Sequence, residues 1–494
     1  MNLIRKKSLE GLLEQASHCN LKRTLTAKSL VALGVGAIIG ADLFVRTAAA
    51  SAQDAGPAVT VSFIIAAVGC CFAGLCYSEF AAMIPIAGSA YTYAYTTMGE
   101  LVAWIIGWAL VLEYALGAAT VAISWSEYLN HLFGGTIPFQ WCHSPMEVSV
   151  SGLHGIINLP ALFIVLLLTL ILIKGTQESA TVNMIIVTIK LAIVIAFVAV
   201  GWHFVSAANL VPFTIPADVP GHAGAFRHGW GGVLGGAGIV FFAFIGFDAV
   251  STAAQETKEP GRDMPIGILG SLAVCTVLYI LFGYVLTGVC NWKEFAVAGK
   301  EASVAYAVDH HMPGFHWLAT AITIAILLGF SSVILVMLLG QSRVFYSMSN
   351  DGLLPKVFSE IHKKFRTPYK SNIILFFFVG TFAAFIPESL AGDLTSIGTL
   401  FAFSLVCIGV WIMRHIEPGL HRPFRTPFVP LVPILGVLVC GGMIVSLDHR
   451  TQLTALAWMV IGLFIYFLYG RSHSQLSPTQ IKSEKPAPAA PIAR

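Results

Sequence analysis

The residues best placed to do chemistry lie in an apolar stretch near the start of the chain, residues 33–46. Three glycines interrupt this stretch, Gly34, Gly36 and Gly40, and an acid and a base follow them, Asp42 and Arg46. Lipid cannot hydrogen-bond to a free backbone, so a broken helix at membrane depth must be buried in protein or line a polar cavity. Freed N–H groups at the helix start after such a break favour an anion. A kinked helix whose glycines only permit close packing is the alternative, and this segment alone does not decide between them.

A second interrupted stretch occupies residues 232–255. Four glycines come first, and an aromatic run then leads to an acid, Asp248. The two interrupted stretches are five apolar segments apart, so the first ten segments can form two halves of opposite topology. Paired broken helices in corresponding positions of two repeats indicate the midplane binding site of a secondary transporter.

Composition identifies the environment in which these stretches must fold. Of the 494 residues, 56% are hydrophobic and only 11% are charged, whereas soluble domains carry about 25% charged residues. The apolar segments have helix length, about 20 residues or more. They run over residues 29–52, 59–84, 98–127, 156–174, 183–205, 229–255, 265–290, 315–348, 371–389, 393–416, 428–447 and 452–470. The sequence therefore predicts an all-α polytopic membrane protein with twelve transmembrane helices.

The distribution of basic residues predicts the orientation of the chain. With a cytoplasmic N-terminus, the inside loops and termini hold 22 of the 28 lysines and arginines, which is the asymmetry expected for membrane proteins. We therefore expect both termini to be cytoplasmic. Residues 1–28 are basic and amphipathic and are predicted to lie on the inner membrane surface. Residues 471–494 are rich in proline, alanine and serine and are predicted to be disordered.

Other functional classes find little support in the sequence. It contains neither an HExxH motif nor a paired nucleophile and base at one depth, so we do not expect an enzyme. The basic cluster at residues 356–370 is explained by topology, and no nucleic-acid partner is expected. No cofactor is expected either.

The histidines and cysteines of the chain could support metal or disulfide chemistry at only a few places. The nine cysteines form no CxxC motif, so no metal or redox site follows from them. Cys142 and Cys290 both fall in loops predicted to lie outside, where a disulfide between them is an open alternative. His131, His143 and His154 share one such loop and could bind a metal, although solvated loop histidines are far commoner.

Four segments carry a resemblance to a known family: residues 36–40 (GAIIG), 241–252 (FFAFIGFDAVST), 340–355 (GQSRVFYSMSNDGLLP) and 364–369 (KFRTPY). In this order and spacing the chain resembles the amino acid–polyamine–organocation superfamily from about residue 21 to residue 470. Within it, the chain is similar to bacterial relatives of the cationic amino acid transporters. The resemblance implies the leucine-transporter fold, with inverted five-helix repeats at about 29–205 and 229–416, broken helices 1 and 6, and two additional helices, 11 and 12.

The resemblance also implies a function. It indicates uptake of L-amino acids, often coupled to protons, by a multi-pass protein of the bacterial cytoplasmic membrane. A small membrane subunit is a further partner that the resemblance allows. Amino acid carboxylates bind at the helix 1 break in the family, and we expect this role for the backbone N–H groups of Ile39, Gly40, Ala41 and Asp42.

The second break supplies groups of the opposite polarity. Free carbonyls of Phe242, Ala243 and Ile245 could accept hydrogen bonds from a substrate ammonium, and Phe244 could cover the pocket. Phe330 lies ten residues before residues 340–343, and this offset matches a family position that lines the side-chain pocket. A phenylalanine there would favour a small or medium neutral side chain.

Three ionisable residues inside predicted helices are candidates for moving protons. A lysine in apolar surroundings can gain and lose a proton because desolvation penalises its charged form. Lys190 stands where a helix 5 lysine replaces sodium in proton-coupled relatives, although it could instead extend to the inner interface. Asp248 could stabilise the second break, or orient Lys190 or the substrate amine. Glu113 could contact the substrate, relay a proton, or be a buried acid satisfied by its neighbours.

Asp42 departs from the family pattern, in which a glycine usually stands at this position. Two unit charges about 4 Å apart interact by about 4 kcal/mol at an effective dielectric constant near 20. An ionised Asp42 would therefore oppose a substrate carboxylate unless it pairs with Arg46 or is protonated. A substrate without a carboxylate would also resolve the conflict, so an amine or polyamine exchanger is an alternative function. A substitution that impairs transport is another explanation, and a non-transporting amino acid sensor is the alternative from a different class.

Overall fold

A computed structural model describes residues 5–7, 25–40, 42–84, 89–149, 151–174, 180–296, 303–365 and 367–477. Most of the predicted N-terminal amphipathic segment, and residues 478–494 of the predicted tail, lie outside this description. The described part of the chain is helical and contains no β-strand, only two isolated bridges. The fold class is therefore all-α, as the sequence predicts.

Sixteen α-helices of nine residues or more organise the described part of the chain. The first eight are α1 (Ala27–Ile38), α2 (Asp42–Ala50), α3 (Val59–Met83), α4 (Ser89–Thr97), α5 (Glu100–Val111), α6 (Gly117–Leu132), α7 (Leu159–Lys174) and α8 (Ala180–Gly201). The others are α9 (Gly229–Val240), α10 (Pro260–Val289), α11 (Ser303–His311), α12 (His316–Asn350), α13 (Tyr369–Phe385), α14 (Glu388–Ile416), α15 (Leu431–Ser446) and α16 (His449–Ile465). A π-helical turn, Leu112–Leu116, joins α5 to α6.

Helix occurs at each of the twelve predicted apolar segments. By length and composition, eight stretches of the described chain can cross a membrane, and four apolar helices are shorter: α1, α7, α13 and α15. One of the eight, Leu43–Met83, includes both α2 and α3, because a π-helical turn and a 3-10 turn join them continuously. The structure is that of a polytopic membrane protein.

The helix bundle has two ends, a terminal end and a loop end. The terminal end is where Leu25 pairs with Thr257 and where Ser474 donates a hydrogen bond to Glu100. The loop end carries the segments that connect α6 to α7, α8 to α9 and α10 to α12. Ser474 and its neighbour Gln475, which bonds to the Asn350 carbonyl, extend the folded domain beyond residue 471, where the disordered tail is predicted to begin.

The cysteines do not form the disulfide that the sequence left open. Cys142 and Cys290 are both reduced thiols and are not joined to each other. Cys142 lies 3.2 Å from the Nδ1 atom of its neighbour His143, whereas Cys290 follows the end of α10. The two thiols therefore belong to different parts of the loop end.

A buried carboxylate at the terminal end ties α3 to α14 and the loop after it. Both oxygens of Glu79 accept hydrogen bonds from Arg414 at 2.8 Å, and one of them also accepts the N–H of Thr426 at 2.7 Å. The Nε atom of buried Arg422 lies 3.2 Å from the same carboxylate. One acid thus holds two arginines in place.

Glu79→Gln is expected to destabilise the protein by about 3 kcal/mol, because it leaves two arginines without their shared counter-charge. The midpoint of thermal unfolding in detergent should fall clearly. Glu259→Gln is the matched control, since Glu259 is exposed and pairs only loosely, at 3.8 Å, with Arg262. Equal midpoints for the two variants would contradict a structural role for the Glu79 cluster.

Candidate functional site

The first break follows the end of α1. Two of the last carbonyl groups of this helix have donors in different parts of the chain. A helix leaves its final carbonyl groups without intrahelical donors. The Val35 carbonyl still accepts the N–H of Ile39, at 2.9 Å, so this N–H caps α1 and is not free for a carboxylate in this conformation, contrary to the expectation from the sequence. The Gly36 carbonyl lies 3.4 Å from the Nζ atom of Lys190 on α8. A cation at this position is favoured by the negative end of the helix dipole.

The second break follows α9 and is longer. A 3-10 turn, Phe241–Phe244, is followed by Ile245 in an extended conformation. The next residue, Gly246, has a φ of +116°, which side chains disfavour. A 3-10 helix, Asp248–Glu256, then completes the broken helix. Phe242, Ala243, Phe244 and Ile245 are all buried.

The two breaks meet at two points. The hydroxyl of Tyr279 on α10 lies 3.0 Å from the Ile38 carbonyl oxygen and 2.9 Å from that of Ala243. One hydroxyl proton can serve only one of these carbonyls at a time. At the second point, a Cβ atom on Gly246 would lie 2.7 Å from the carbonyl oxygen of Ala37. The ends of the two broken helices are therefore in direct backbone contact.

Gly246→Ala is expected to abolish transport, because an alanine there would need both a disfavoured φ and the separation of two backbones. The measurement is substrate uptake by the purified variant in liposomes. Gly441→Ala is the matched control, since a Cβ atom at Gly441 would meet no atom within 4 Å. Normal uptake by the Gly246 variant would show that contact between the breaks is dispensable.

Lys190 shares a small cavity with parts of both the first break and α12. The cavity is lined by Gly40, Phe44, Lys190, Ile193, Ala325, Ile326, Gly329 and Phe330. Lys190 is only 5% exposed, and a Cβ atom on Gly329 would lie 2.7 Å from its Cε atom. Apart from the Lys190 side chain, the lining side chains are apolar. The cavity holds only about 10 Å³, roughly the space of one water molecule, so a larger group enters only if its walls move apart.

The other two predicted ionisable residues lie together elsewhere. Glu113 and Asp248 are both buried, and the Glu113 carboxyl group lies beside that of Asp248 and the hydroxyl of Thr399. The hydroxyl of Tyr114 donates a hydrogen bond of 2.9 Å to Asp248. Glu113 and Tyr114 both belong to the π-helical turn, a feature often found at functional sites. Two adjacent carboxyl groups in a low dielectric favour a state in which protons neutralise one or both of them.

A third charged cluster lies toward the loop end. Arg46 on α2 is buried and pairs with Glu388 and Asp393 of α14. The guanidinium carbon lies 5.9 Å from the centre of the Phe242 ring, within the range of cation–π attraction. Arg46 therefore connects the first broken helix, the second break and α14.

These contacts test how the sequence-predicted residues are grouped. Gly40, Lys190 and Phe330 come together, and Asp248 comes together with Glu113. Phe244 is buried against Phe63 and Tyr279, with ring centres 6.2 and 5.2 Å away, so it is a core residue in this conformation. Ala41 and the side chain of Asp42 lie outside the described residues.

Sequence reasoning missed one residue that joins the breaks, Tyr279, and it considered Arg46 only as a partner for Asp42. Tyr279 lies in an apolar helix in which nothing local distinguishes it from a core tyrosine. Arg46 could have been identified from the sequence as part of a charged cluster, because an arginine in an apolar helix needs partners when it is buried. Its partners, however, are acids more than 340 residues away.

Comparison with known proteins agrees with this geometry. A family model described as amino acid permease matches residues 25–470. The branched-chain amino acid permease BcaP of Bacillus subtilis (strain 168) is 42% identical, and the alignment covers 96% of this chain and 99% of that protein.

Two other relatives show how widely the named substrates vary. The methylthioribose transporter of the same organism is 40% identical, over 96% of this chain and 99% of its own length. The vacuolar cationic amino acid transporter 4 of Arabidopsis thaliana is 32% identical, and the alignment covers 84% of this chain and 68% of that protein. All three relatives are named as transporters or permeases rather than as enzymes. With two interrupted helices in contact and a family match that spans the whole helical domain, this chain belongs to the amino acid permease family of the amino acid–polyamine–organocation superfamily.

Proposed function

We propose that this permease imports an L-amino acid with a neutral, apolar side chain, coupled to protons, by alternating access across the bacterial cytoplasmic membrane. The observation that carries the proposal is the contact between the two breaks, where the Tyr279 hydroxyl lies within 3.0 Å of carbonyls from both. Backbone polar groups freed at two adjacent breaks are the groups that a zwitterion needs. Helices that were kinked only to pack closely would not need two breaks in contact with each other.

The proposal includes a specific architecture. All twelve apolar segments cross the membrane, the first ten form two inverted five-helix repeats, and both termini are cytoplasmic. The spacing of the two broken helices supports the repeats, and the distribution of lysine and arginine supports the orientation. The terminal end of the bundle then faces the cytoplasm and the loop end faces outward.

The substrate contacts follow from the polarity of each break. The carboxylate binds at the start of α2, where the first-turn N–H groups and the helix dipole favour an anion. The ammonium binds at the carbonyls of the second break, in exchange for the Tyr279 hydroxyl at Ala243. The side chain enters the cavity beside Phe330 once the walls of that cavity have moved apart, and its apolar lining favours a branched or similar neutral side chain. The name of the Bacillus relative BcaP, a branched-chain amino acid permease, is consistent with this choice.

Proton coupling is assigned to two groups at different positions. Lys190 contacts the end of α1, so its charge state affects the helix that borders the substrate carboxylate. Glu113 and Asp248 form the second group, behind the second break. A proton taken up by either group changes the charge beside one broken helix, which is what coupling to conformation requires.

Asp42 supports a second candidate function. An ionised carboxylate at the start of α2 would repel a substrate carboxylate by about 4 kcal/mol at a separation of about 4 Å. A neutral sugar derivative meets no such conflict, and one relative at 40% identity is named as a methylthioribose transporter. Uptake of a small neutral polyol or thioether sugar is therefore the alternative to amino acid uptake, and amine exchange is a further one.

A competition experiment separates these substrate classes. The purified protein is reconstituted in liposomes, and uptake of labelled L-isoleucine is measured against unlabelled L-leucine, L-arginine, putrescine and methylthioribose. We expect competition by L-leucine alone, together with uptake by an Asp42→Gly variant that is equal to or greater than that of the unchanged protein.

Three other outcomes would overturn the proposed substrate or the proposed transport by the unchanged protein. Uptake of methylthioribose or of putrescine without L-isoleucine would move the chain to the corresponding class. Uptake of L-isoleucine only by the Asp42→Gly variant would identify Asp42 as a blocking substitution. Binding of L-isoleucine without flux in either protein would indicate a sensor.

A further inference from the structure

We propose that the loop end carries a zinc site formed by Cys290, Glu294 and His311, and that zinc bound there inhibits transport. The inhibitory part rests on the proposed function, whereas the site itself does not. The three residues come from three consecutive pieces of chain. Cys290 directly follows α10, Glu294 lies in a short helix, Trp292–Phe295, and His311 ends α11.

The ligand atoms of these residues converge on one point. The Cys290 sulfur, a Glu294 carboxylate oxygen and a His311 ring nitrogen all lie within 4.8 Å of one another. The closest pair, His311 Nε2 and Glu294 Oε2, is 3.0 Å apart. Ligands of a tetrahedral zinc ion lie roughly 3.3–3.8 Å apart, given metal–ligand distances of about 2.0–2.3 Å. Movements of about 1 Å or less would therefore complete the geometry.

The chemistry of the three ligands selects the metal. A thiolate disfavours magnesium and calcium, which prefer oxygen ligands. Thiolate, imidazole and carboxylate together suit zinc, which takes four ligands, so that a water molecule would complete the site. The hydroxyl of Tyr306 donates a hydrogen bond to Glu294 at 3.1 Å, and this contact would orient the carboxylate for the metal.

The location of the site allows a metal ion to reach it from solvent and to influence the helices around it. The side chains of Glu294 and His311 are each about one-third exposed, at 32% and 31%, so an ion can enter from the loop end. The short helix and α11 both pack against α2, and α11 also packs against α10. A metal bound here would hold the short helix and α11, which pack against α2, to the end of α10, and would so restrict the movement of α2, the second half of the first broken helix. Alternating access requires such elements to move.

Zinc binding is tested directly on the purified, reduced protein in detergent. Titration calorimetry with zinc chloride is performed on the unchanged protein and on Cys290→Ser, Glu294→Gln and His311→Ala. We expect each variant to bind zinc at least about tenfold more weakly than the unchanged protein. Calcium chloride should give no binding at this site.

The matched control is His310→Ala. His310 is the neighbouring histidine of α11, but its imidazole contacts the Tyr306 carbonyl rather than the ligand cluster. This variant should bind zinc normally, and unfolding midpoints in metal-free buffer will show that all variants are folded. Equal zinc affinity in the unchanged protein and the three ligand variants, or no zinc binding at all, would overturn the site.

Inhibition is measured separately in liposomes, with zinc applied to the face that exposes the loop end. Zinc should reduce uptake by the unchanged protein and by His310→Ala, and should spare His311→Ala. Binding at the site without any change in uptake would overturn the inhibitory role while leaving the site. A protein that binds zinc there but transports no substrate would refute the proposed function instead.

Discussion

Arg46→Gln is expected to abolish uptake and to lower the midpoint of thermal unfolding, the largest effect that we predict for a single side chain. The substitution leaves Glu388 and Asp393 without their counter-charge in a nearly buried site. Removing one partner of a buried ion pair typically costs about 3–5 kcal/mol. It also removes the cation above the Phe242 ring, so the first broken helix loses its connection to both the second break and α14.

Two further variants separate the role of charge from that of fold. Arg46→Lys keeps the charge but loses the planar, forked donor. We therefore expect an unfolding midpoint between those of the unchanged protein and Arg46→Gln, and slower uptake than in the unchanged protein. Arg450→Gln replaces an arginine that is exposed at the loop end and should leave both measurements unchanged. If Arg46→Gln unfolds at the same temperature as the unchanged protein and transports normally, the buried cluster neither stabilises the protein nor takes part in transport.

Lys190→Gln is expected to uncouple transport from the proton gradient while leaving substrate exchange intact. The variant keeps a hydrogen-bond donor near the Gly36 carbonyl but cannot change its charge. Labelled substrate should equilibrate across the liposome membrane without accumulating, and counterflow exchange should persist. The measurement compares gradient-driven accumulation with counterflow in the same preparation.

Lys174→Gln is the matched control, because Lys174 is an exposed lysine in the last turn of α7. It should accumulate substrate as the unchanged protein does. Undiminished gradient-driven accumulation by Lys190→Gln would transfer the coupling role to Glu113 and Asp248 alone. Loss of both accumulation and exchange would instead mean that Lys190 is needed for substrate binding or folding.

Local patterns were sufficient to predict the helices and the two breaks. Apolar segments of helix length need no knowledge of their neighbours, since lipid imposes the same requirement on each. The glycines before Asp42 and Asp248 likewise lie beside the points where the α-helices α1 and α9 end. Composition and glycine spacing in a single sequence are thus enough to predict the helices and the positions of the two breaks.

The partners of the site residues were not predictable from those patterns. Tyr279 approaches Ile38 from 241 residues away, and a tyrosine in an apolar helix gives no local sign of such a contact. Similarly, Asp248 could have faced Lys190 or Glu113, and only the packing of the helices brings it to Glu113. Cys290 and His311 are 21 residues apart in the sequence, and no sequence pattern predicts that they approach each other.

The central claim, proton-coupled transport through the two breaks, is tested most directly by the dependence of accumulation on the pH gradient. Liposomes containing the unchanged protein receive labelled L-isoleucine, with the membrane potential held at zero, either without a pH gradient or with an inward gradient of one unit. One pH unit corresponds to about 1.4 kcal/mol, so each coupled proton should raise the steady-state accumulation about tenfold. Gly246→Ala should show no uptake in either condition. An accumulation ratio that stays near one with the gradient present, despite measurable uptake, would contradict the account.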